Sequence, residues 1–374
     1  MIERGTAVKR DFVFFSAVTV WLCIALHAPC QPPPGAGAPS PTVQQFPFPI
    51  ALRKSVVFIR TNCVHMPTDE ELAAMSPQDR ARWTDNDIAK LRPEELAGLQ
   101  QDSYFGTGFI VFVPDDRLGK DMGFNYLITN RHVVQPGIEN GRPCKVVNYS
   151  LSINHRGTPL NPTPYLQTFP APAGVWAFPD DGSVDLAATP FASSFTDFDF
   201  QTIPLKLFVT QQMVDKNEVV EGDPVIFAGL FVQYEGVKRL EPVVRSGTIA
   251  MLPEEPIPTT LRQLGHVYLA ESHIFGGNSG SPMFVDVNKF KNGVGFDYRF
   301  LGVVTGEIQE NEDLTLKVST TYKGTIPANS NVAVVVPASE VQKLLMLPQF
   351  RLSRDVYVAE HPESKPTNRP PAEK

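Results

Sequence analysis

The chain has 374 residues, of which 42% are hydrophobic and 20% charged, and its net charge is −7 at pH 7. This composition indicates a globular protein with a sizeable core. No basic stripe interrupts the acidic balance, so nucleic-acid binding has no electrostatic support. The 35 prolines and 26 glycines favour many short strands and loops over long helices.

The first 30 residues have the pattern of a targeting segment. Lys9 and Arg10 precede an apolar run over 12–28, which is typical of the charged and apolar regions of a secretory signal. The run also reaches the lower limit for crossing a bilayer, so an uncleaved membrane anchor is the alternative. We therefore expect residues 1–30 to be a signal peptide or a membrane anchor. Either one predicts an extracytoplasmic protein, secreted or periplasmic, with a possible membrane tether through 12–28.

Residues 31–45 are rich in Pro, Gly, Ala and Ser and predict a semi-extended linker. The folded part is expected over 46–350, with Ser55–Arg60 as its first strand. Residues 67–103 then change character, because Pro-initiated, acidic segments predict short charged helices inserted into a β-structure. The insertion is either a solvated excursion without a role or a lid or docking element.

Short strands separated by turn residues predict an all-β barrel or sandwich. A final helix is expected over Pro337–Met346 with Ser339 as its N-cap. The polar, proline-rich segment 351–374 is expected to be a disordered tail. The predicted strands after the insertion are Thr107–Val113, Asn125–Thr129, Cys144–Asn154, Val175–Phe178, Asp185–Ala188, Leu205–Val209, Pro224–Leu230, Val243–Ile249, Val267–Ala270, Ser281–Val285, Arg299–Thr305 and Asn331–Val336.

Two cysteines, Cys63 and Cys144, lie in the predicted folded part. An exported chain permits a disulfide between them, and two buried free thiols are the alternative. Asn148 begins an Asn-Tyr-Ser sequon, which matters only if the source is eukaryotic.

Residues 276–282 read Gly-Gly-Asn-Ser-Gly-Ser-Pro and are the most informative segment. Glycines on both sides of Ser279 let the backbone approach a substrate carbonyl, and such a turn can direct backbone N–H groups at one point. The pattern therefore indicates a nucleophilic serine beside an oxyanion hole. An ordinary Gly/Ser loop between two strands is the alternative for this segment alone.

Two further segments supply the partners that a serine nucleophile needs. His132 follows an apolar strand, and Asp185 lies between apolar residues in Ser-Val-Asp-Leu-Ala. A serine hydroxyl needs a base to take its proton, and the base needs a third group to hold its tautomer. Singly, each residue has an ordinary explanation as a hydrogen-bonded histidine or a turn aspartate. Together, His132, Asp185 and Ser279 predict a catalytic triad in the chain order His, Asp, Ser.

The chain resembles trypsin-like serine proteases of chymotrypsin fold, closest in style to the peptidase domain of HtrA/Deg proteases and to glutamyl endopeptidases. The resemblance covers about 50–348. It implies two six-stranded antiparallel β-barrels, over about 46–209 and 210–350, with the triad in the cleft between them. It also implies an oxyanion hole from the backbone N–H groups of Gly277 and Ser279. No PDZ-like segment follows, unlike in typical HtrA proteins. The matching segments are Gly106–Val111, Thr129–Val134, Val184–Ala187 and Gly277–Pro282.

The resemblance also locates a substrate pocket. The position that carries an acid in trypsin-like enzymes cutting after Arg or Lys is His273 here, and an unpaired buried cation would be costly. Val304 stands where glutamyl-specific relatives carry a histidine. We therefore expect a small or medium apolar side chain at the cleavage site. The pocket residues implied are His273, Ile274, Phe275, Val303, Val304 and Thr305.

The leading hypothesis is an exported serine endopeptidase that acts on a protein or peptide substrate through an acyl-enzyme. No cofactor and no metal are expected, because the sequence has no His/Cys/Asp cluster at metal-ligand spacing and no phosphate-binding motif. An esterase and a catalytically silent binding module on a protease fold are the alternatives.

Overall fold

The structure, a computed structural model, describes residues 48–81, 101–139, 142–157, 163–172, 176–192, 197–261, 263–288, 297–317 and 321–361. All of these residues belong to one compact unit, Gln45–Lys374. The expectations for 1–30 and for the linker lie outside the described residues. In the described part of the chain, no helix is long and apolar enough to span a membrane.

The first half of the chain forms an eight-stranded sheet in the order β4-β5-β1-β2-β3-β7, with β6 beside β5 and β8 parallel to β2. Its strands have mostly buried Val, Ile and Phe on both faces, as in β1, because helices and the second half cover them. The strands are β1 Val56–His65, β2 Gln101–Pro114, β3 Gly123–Thr129, β4 Ile138–Glu139, β5 Arg142–His155, β6 Tyr165–Pro172, β7 Ala187–Pro190 and β8 Thr202–Pro204.

The second half forms a closed six-stranded barrel in the order β10-β13-β16-β15-β14-β9. The all-β class and the two-part architecture are thus confirmed, although the first half has eight strands and its described pairings leave the sheet open. The strands are β9 Pro224–Gly229, β10 Val243–Met251, β11 Ile257–Pro258, β12 Leu264–Gly265, β13 Tyr268–Glu271, β14 Pro282–Asp286, β15 Tyr298–Lys317 and β16 Thr321–Pro337, of which β11 and β12 pair with each other outside the barrel.

Two strand predictions in the first half were wrong. Leu205–Leu207 is a 3-10 turn, and the segment predicted as Val175–Phe178 contributes a single bridge from Ala177 to Ala188. Both segments are short apolar runs, whose periodicity does not distinguish a strand from a turn that packs on the core.

The helical insertion is present in its described part. Helix α1 (Phe48–Lys54) precedes β1, and α2 (Asp69–Ala74) and α3 (Pro77–Ala81) follow it. Thr68 starts α2 with a capping box. Residues 82–100 lie outside the described residues, and β2 already begins at Gln101, before the predicted end of the insertion.

The C-terminal part corrects two expectations. Two short helices, α4 (Arg131–Val134) and α5 (Gln211–Asp215), lie between α3 and the C-terminal part. Helix α6 (Ala338–Leu345) has Pro337 rather than Ser339 as its N-cap. A further helix, α7 (Pro348–Glu360), occupies residues expected to be disordered. It is held because Phe350 packs edge-on against Tyr126, with ring centroids 4.9 Å apart, and Arg354 is buried. Tyr357 adds an edge contact with Phe124, with ring centroids 5.5 Å apart, so three side chains dock the helix.

The cores place the two halves against each other. One cluster fills the first sheet, a second fills the barrel, and a third lies between the halves. In the third, Phe109 of β2 contacts Phe300 of β15, with ring centroids 5.3 Å apart. A disulfide joins Cys63 to Cys144 across β1 and β5, with 5.6 Å between their Cα atoms.

Candidate active site

A buried carboxylate and an imidazole form the first part of the site. Asp185 is 1% exposed, and its Oδ2 lies 2.6 Å from His132 Nδ1. Its Oδ1 accepts a 3.1 Å hydrogen bond from the backbone N–H of His132. The two contacts fix both the carboxylate and the ring, so Nδ1 carries the proton and Nε2 is left for chemistry.

Local structure explains how His132 reaches Asp185. Strand β3 ends at Thr129, and the one-turn helix α4 (Arg131–Val134) immediately follows. Asn130, between them, is fully buried and donates a 2.7 Å hydrogen bond from Nδ2 to the carbonyl of Asp185. The sequence Thr-Asn-Arg-His therefore ties the end of β3 to the turn that carries the carboxylate.

The serine lies in a tight turn of the second half. Asn278 N–H donates to Phe275 O at 3.0 Å, and Gly277, the third residue of that turn, has φ +93°. This is the geometry of a type II turn, which requires glycine at that place. The Asn278 side chain holds the turn through Oδ1, which accepts from Phe275 N–H at 3.0 Å, and Nδ2, which donates to Leu230 O at 2.9 Å.

Three backbone donors of this turn, the N–H groups of Gly276, Gly277 and Ser279, have no hydrogen-bond acceptor among the described residues. By contrast, Gly280 N–H donates to Val304 O at 2.8 Å, and Thr107 N–H donates to Ser279 O at 2.8 Å. Two of the three, the N–H groups of Gly277 and Ser279, are those that the sequence assigned to an oxyanion hole.

The serine hydroxyl is not paired with the imidazole in this structure. Ser279 Oγ donates a 3.1 Å hydrogen bond to the carbonyl oxygen of Thr305 on β15. Such loose geometry is common in sites without substrate.

Thr107, on β2, joins the two parts of the site. Its Oγ1 donates to Gly277 O and accepts from Leu230 N–H, both at 2.8 Å. Its carbonyl accepts from Thr129 Oγ1 at 2.7 Å, three residues before His132. Thr107 thereby contacts the strand that leads to the imidazole and the turn that carries Ser279.

Glycines allow this close approach. Gly280 has φ +87°, and a Cβ there would overlap the carbonyl oxygen of Thr107. A Cβ at Gly106 would lie 2.6 Å from the methyl groups of Val133, the residue after His132. At Gly280 the serine turn of the second half therefore meets the backbone of β2 with no room for a methyl group, and within the first half Gly106 meets Val133 equally closely.

The predicted substrate pocket is not assembled as expected. Ile274, Val303 and Val304 are 3%, 0% and 0% exposed because they pack in the hydrophobic cores, so no pocket is open at these three residues in this structure and their assignment stays a prediction. Consecutive residues of β15 point to opposite faces, and both faces of this strand are covered.

The other predicted pocket residues are distributed differently. Thr305 is buried and its Oγ1 lies 3.2 Å from Thr260 Oγ1, whereas His273 and Phe275 are exposed. The guanidinium of Arg245 lies 4.6 Å from the centre of the Phe275 ring. Burial lowers the pKa of Arg245 below its usual value.

The residues that the sequence did not assign to the site are Thr107, Asn130 and Asn278. Each lay inside a segment quoted for the resemblance, and Asn278 lies directly between Gly277 and Ser279. In the described part of the chain, no group of three His, Cys, Asp or Glu side chains is placed to hold a metal ion.

Comparisons with known proteins gave results at the level of structure alone. No family model matches the chain, and no curated protein matches it. Similar solved structures include a variant of the HtrA-type protease AlgW with a decapeptide, at 13% identity and a TM-score of 0.41, covering 81% of this chain and 68% of that one. An inactive form of Rv3671c from M. tuberculosis H37Rv is 17% identical, with a TM-score of 0.37 and coverage of 83% and 94%. Deg5 is 15% identical, with a TM-score of 0.39 and coverage of 80% and 91%. Scores and identities this low establish no activity for this chain.

Proposed function

We propose that the chain is a serine endopeptidase that hydrolyses peptide bonds through an acyl-enzyme intermediate. The observation that carries the proposal is the buried Asp185 carboxylate bound to both the ring and the backbone N–H of His132. The pair orients Nε2 as a general base for a nearby hydroxyl.

Ser279 is the nucleophile in this proposal. Its hydroxyl leaves Thr305 O, gives its proton to His132 Nε2 and attacks the substrate carbonyl carbon. The resulting oxyanion accepts hydrogen bonds from the N–H groups of Gly277 and Ser279, each worth about 3–4 kcal/mol of transition-state stabilisation. The imidazolium, stabilised by Asp185, then protonates the leaving amine, and water hydrolyses the acyl-serine by the same steps in reverse.

The substrate class follows from the same site. A peptide amide needs its leaving nitrogen protonated, and the fixed imidazole supplies that proton. We also propose a small or medium apolar residue before the cleaved bond. His273 stands where trypsin-like enzymes that cut after Arg or Lys carry an acid, so a cationic side chain would have no partner there. We also propose an extracytoplasmic location, on the basis of the apolar run over 12–28.

A cleavage assay tests the function. The full chain and its Ser279→Ala variant would be incubated with an unfolded protein and a mixed peptide library, and new termini would be identified by mass spectrometry. Cleavage by the wild type and not by the variant is expected. Hydrolysis of p-nitrophenyl esters without any peptide cleavage would favour the esterase, and no turnover of either substrate would favour a binding module.

A further inference from the structure

A second histidine–carboxylate pair lies far along β1 from the serine turn, beside the disulfide. Cys63 is the register partner of Asp102 across β1 and β2, and His65 is the register partner of Cys144 across β1 and β5. Residues directly opposite in an antiparallel pair share one face of the sheet, and so do residues two apart on a strand. The four side chains therefore lie on one face, with His65 between Asp102 and Cys144.

The His65 ring is buried and half satisfied. Its side chain is 3% exposed, and Nε2 lies within hydrogen-bond distance of the carboxylate of Asp102. Nδ1 is also buried and has no hydrogen-bond partner among the described residues. A buried polar atom without a partner is uncommon in a folded protein and calls for an explanation, of which a redox role is one.

Cys144, opposite His65 across β1 and β5, can supply a partner for Nδ1 only when the disulfide is reduced. A disulfide sulfur carries no proton, so it cannot donate to Nδ1. The Cys144 thiol can donate to Nδ1, and full transfer of its proton gives a thiolate beside an imidazolium that Asp102 stabilises. This is the arrangement by which proteins lower the pKa of a reactive cysteine.

We propose that Cys63–Cys144 is an exchangeable disulfide and that the His65–Asp102 pair activates Cys144 as a reactive thiol once it is reduced. The site is a thiol-modification site for dithiols and other thiol reagents. Cys144 is the reachable sulfur, because it is partly exposed whereas Cys63 is fully buried. Of the charged side chains nearby, Asp102 of β2 bonds to the ring, and Lys145 of β5 lies on the opposite face, across from Val64.

The exchange balances with a dithiol as the reductant. One thiolate of the dithiol attacks Cys144 Sγ, the protein S–S bond breaks, and its electron pair leaves on Cys63 Sγ, which takes a proton from solvent. The second thiolate of the reagent attacks its own sulfur in the mixed disulfide, and Cys144 leaves as a thiolate facing His65, whose Nδ1 takes up the second proton that the dithiol releases. The protein gains two electrons, and the reagent leaves as a cyclic disulfide.

The test measures the reactivity of Cys144 against pH. The full chain would be reduced with dithiothreitol under native conditions, and alkylation by iodoacetamide would be followed from about pH 5 to 10, with Cys144 resolved from the other cysteines by peptide mass. An ordinary thiol reacts with a midpoint near pH 8.5. We expect a midpoint at least about one pH unit lower in the wild type and a return to about 8.5 or above in His65→Gln.

Two variants separate this role from a structural one. Asp102→Asn keeps a partly exposed residue and should raise the midpoint without abolishing folding. His155→Gln is the matched control, because this buried histidine of β5 stacks on Tyr165 at 4.5 Å and faces no cysteine. Equal midpoints in the wild type and His65→Gln, or a disulfide that dithiothreitol opens only on unfolding, would overturn the proposal. The readout needs no protease activity, so it is independent of the proposed function.

Discussion

Thr107 Oγ1 donates a 2.8 Å hydrogen bond to Gly277 O and so connects a strand of the first half to the turn that carries the candidate nucleophile. The same oxygen accepts from Leu230 N–H, and the Thr107 backbone N–H binds Ser279 O. One residue therefore fixes the serine turn relative to the strand that leads to His132. The relative position of nucleophile and base depends on this contact.

Replacing Thr107 with valine tests that dependence. The substitution keeps the shape of the side chain but leaves Gly277 O and Leu230 N–H unpaired in a buried place, each costing about 1–3 kcal/mol. We expect kcat for peptide cleavage to fall by about 10- to 100-fold with a smaller change in KM, and Tm to fall as well. Thr107→Ser keeps the hydroxyl and is the control. Equal kcat values for Thr107→Val and wild type would show that the contact does not position the turn.

The glycines of the turn give a matched pair of substitutions. Gly280→Ala places a methyl group against the Thr107 carbonyl at a φ of +87° that disfavours side chains. Gly276→Ala meets no atom within 4 Å. We expect Gly280→Ala to lower Tm and to abolish covalent labelling of Ser279 by a fluorophosphonate. Gly276→Ala should leave Tm unchanged and alter the free energy of unfolding by no more than about 0.5 kcal/mol. Similar Tm values for the two variants would contradict the packing described between the halves.

The ion pairs of Asp199 should make the stability of the fold depend on pH in the acid range. Burial by itself raises its pKa, but Lys54 at 2.9 Å, with Arg156 and Arg239, outweighs burial and holds the pKa below its usual 3.8. A carboxyl whose pKa is lower in the folded state contributes its stability above pH 3.8, and loses it as the pH falls through the folded value.

Asp199→Asn should therefore be less stable than wild type at pH 7, by about 2 kcal/mol for its charged hydrogen bonds. The difference in Tm should shrink as the pH is lowered from about 5 to 2. Thermal unfolding at each pH measures it. A difference that stays constant over this range would show that the ion pairs do not stabilise the fold through the ionised carboxylate.

The contacts of helix α7 lead us to expect that the C-terminal segment stabilises the folded unit. Phe350 packs on Tyr126, and Arg354 donates to Tyr126 Oη at 3.0 Å and Leu345 O at 3.1 Å. Removing residues 348–374 should lower the free energy of unfolding by about 3 kcal/mol or more, as for loss of a buried aromatic residue. Removing only 362–374 is the control and should leave it unchanged. Equal unfolding curves for the two truncations would contradict the docking of α7.

The sequence predicted the parts of the site that have specific chemical patterns. His132, Asp185 and Ser279 each lie in a motif that can be recognised from the neighbouring residues, and the structure brings His132 and Asp185 into contact. The role of Thr107 was not predictable, because a threonine in a strand has no local sign that its hydroxyl binds a turn 170 residues away. Such contacts depend on how two separate sheets pack.

The substrate pocket and the C-terminal helix could not be predicted from the sequence for a similar reason, because both depend on packing between distant segments. Val303 and Val304 were assigned to a pocket by resemblance to the strand that carries a histidine in glutamyl-specific proteases, but both side chains are fully buried, and the pattern Val-Val does not reveal which face of a strand is open. The tail was expected to be disordered because its composition is polar. Helix α7 is held by Phe350 and Arg354 alone among its buried residues, too few to change a composition average.

The central claim is that Ser279 is an activated nucleophile. The most direct test is covalent labelling of the full chain by a fluorophosphonate, read as intact mass for wild type, Ser279→Ala, His132→Ala and Asp185→Asn. We expect one adduct on wild type, none on Ser279→Ala, and a rate reduced at least about 10³-fold in the other two variants. Labelling of His132→Ala at the wild-type rate, or an adduct on Ser279→Ala, would contradict the account.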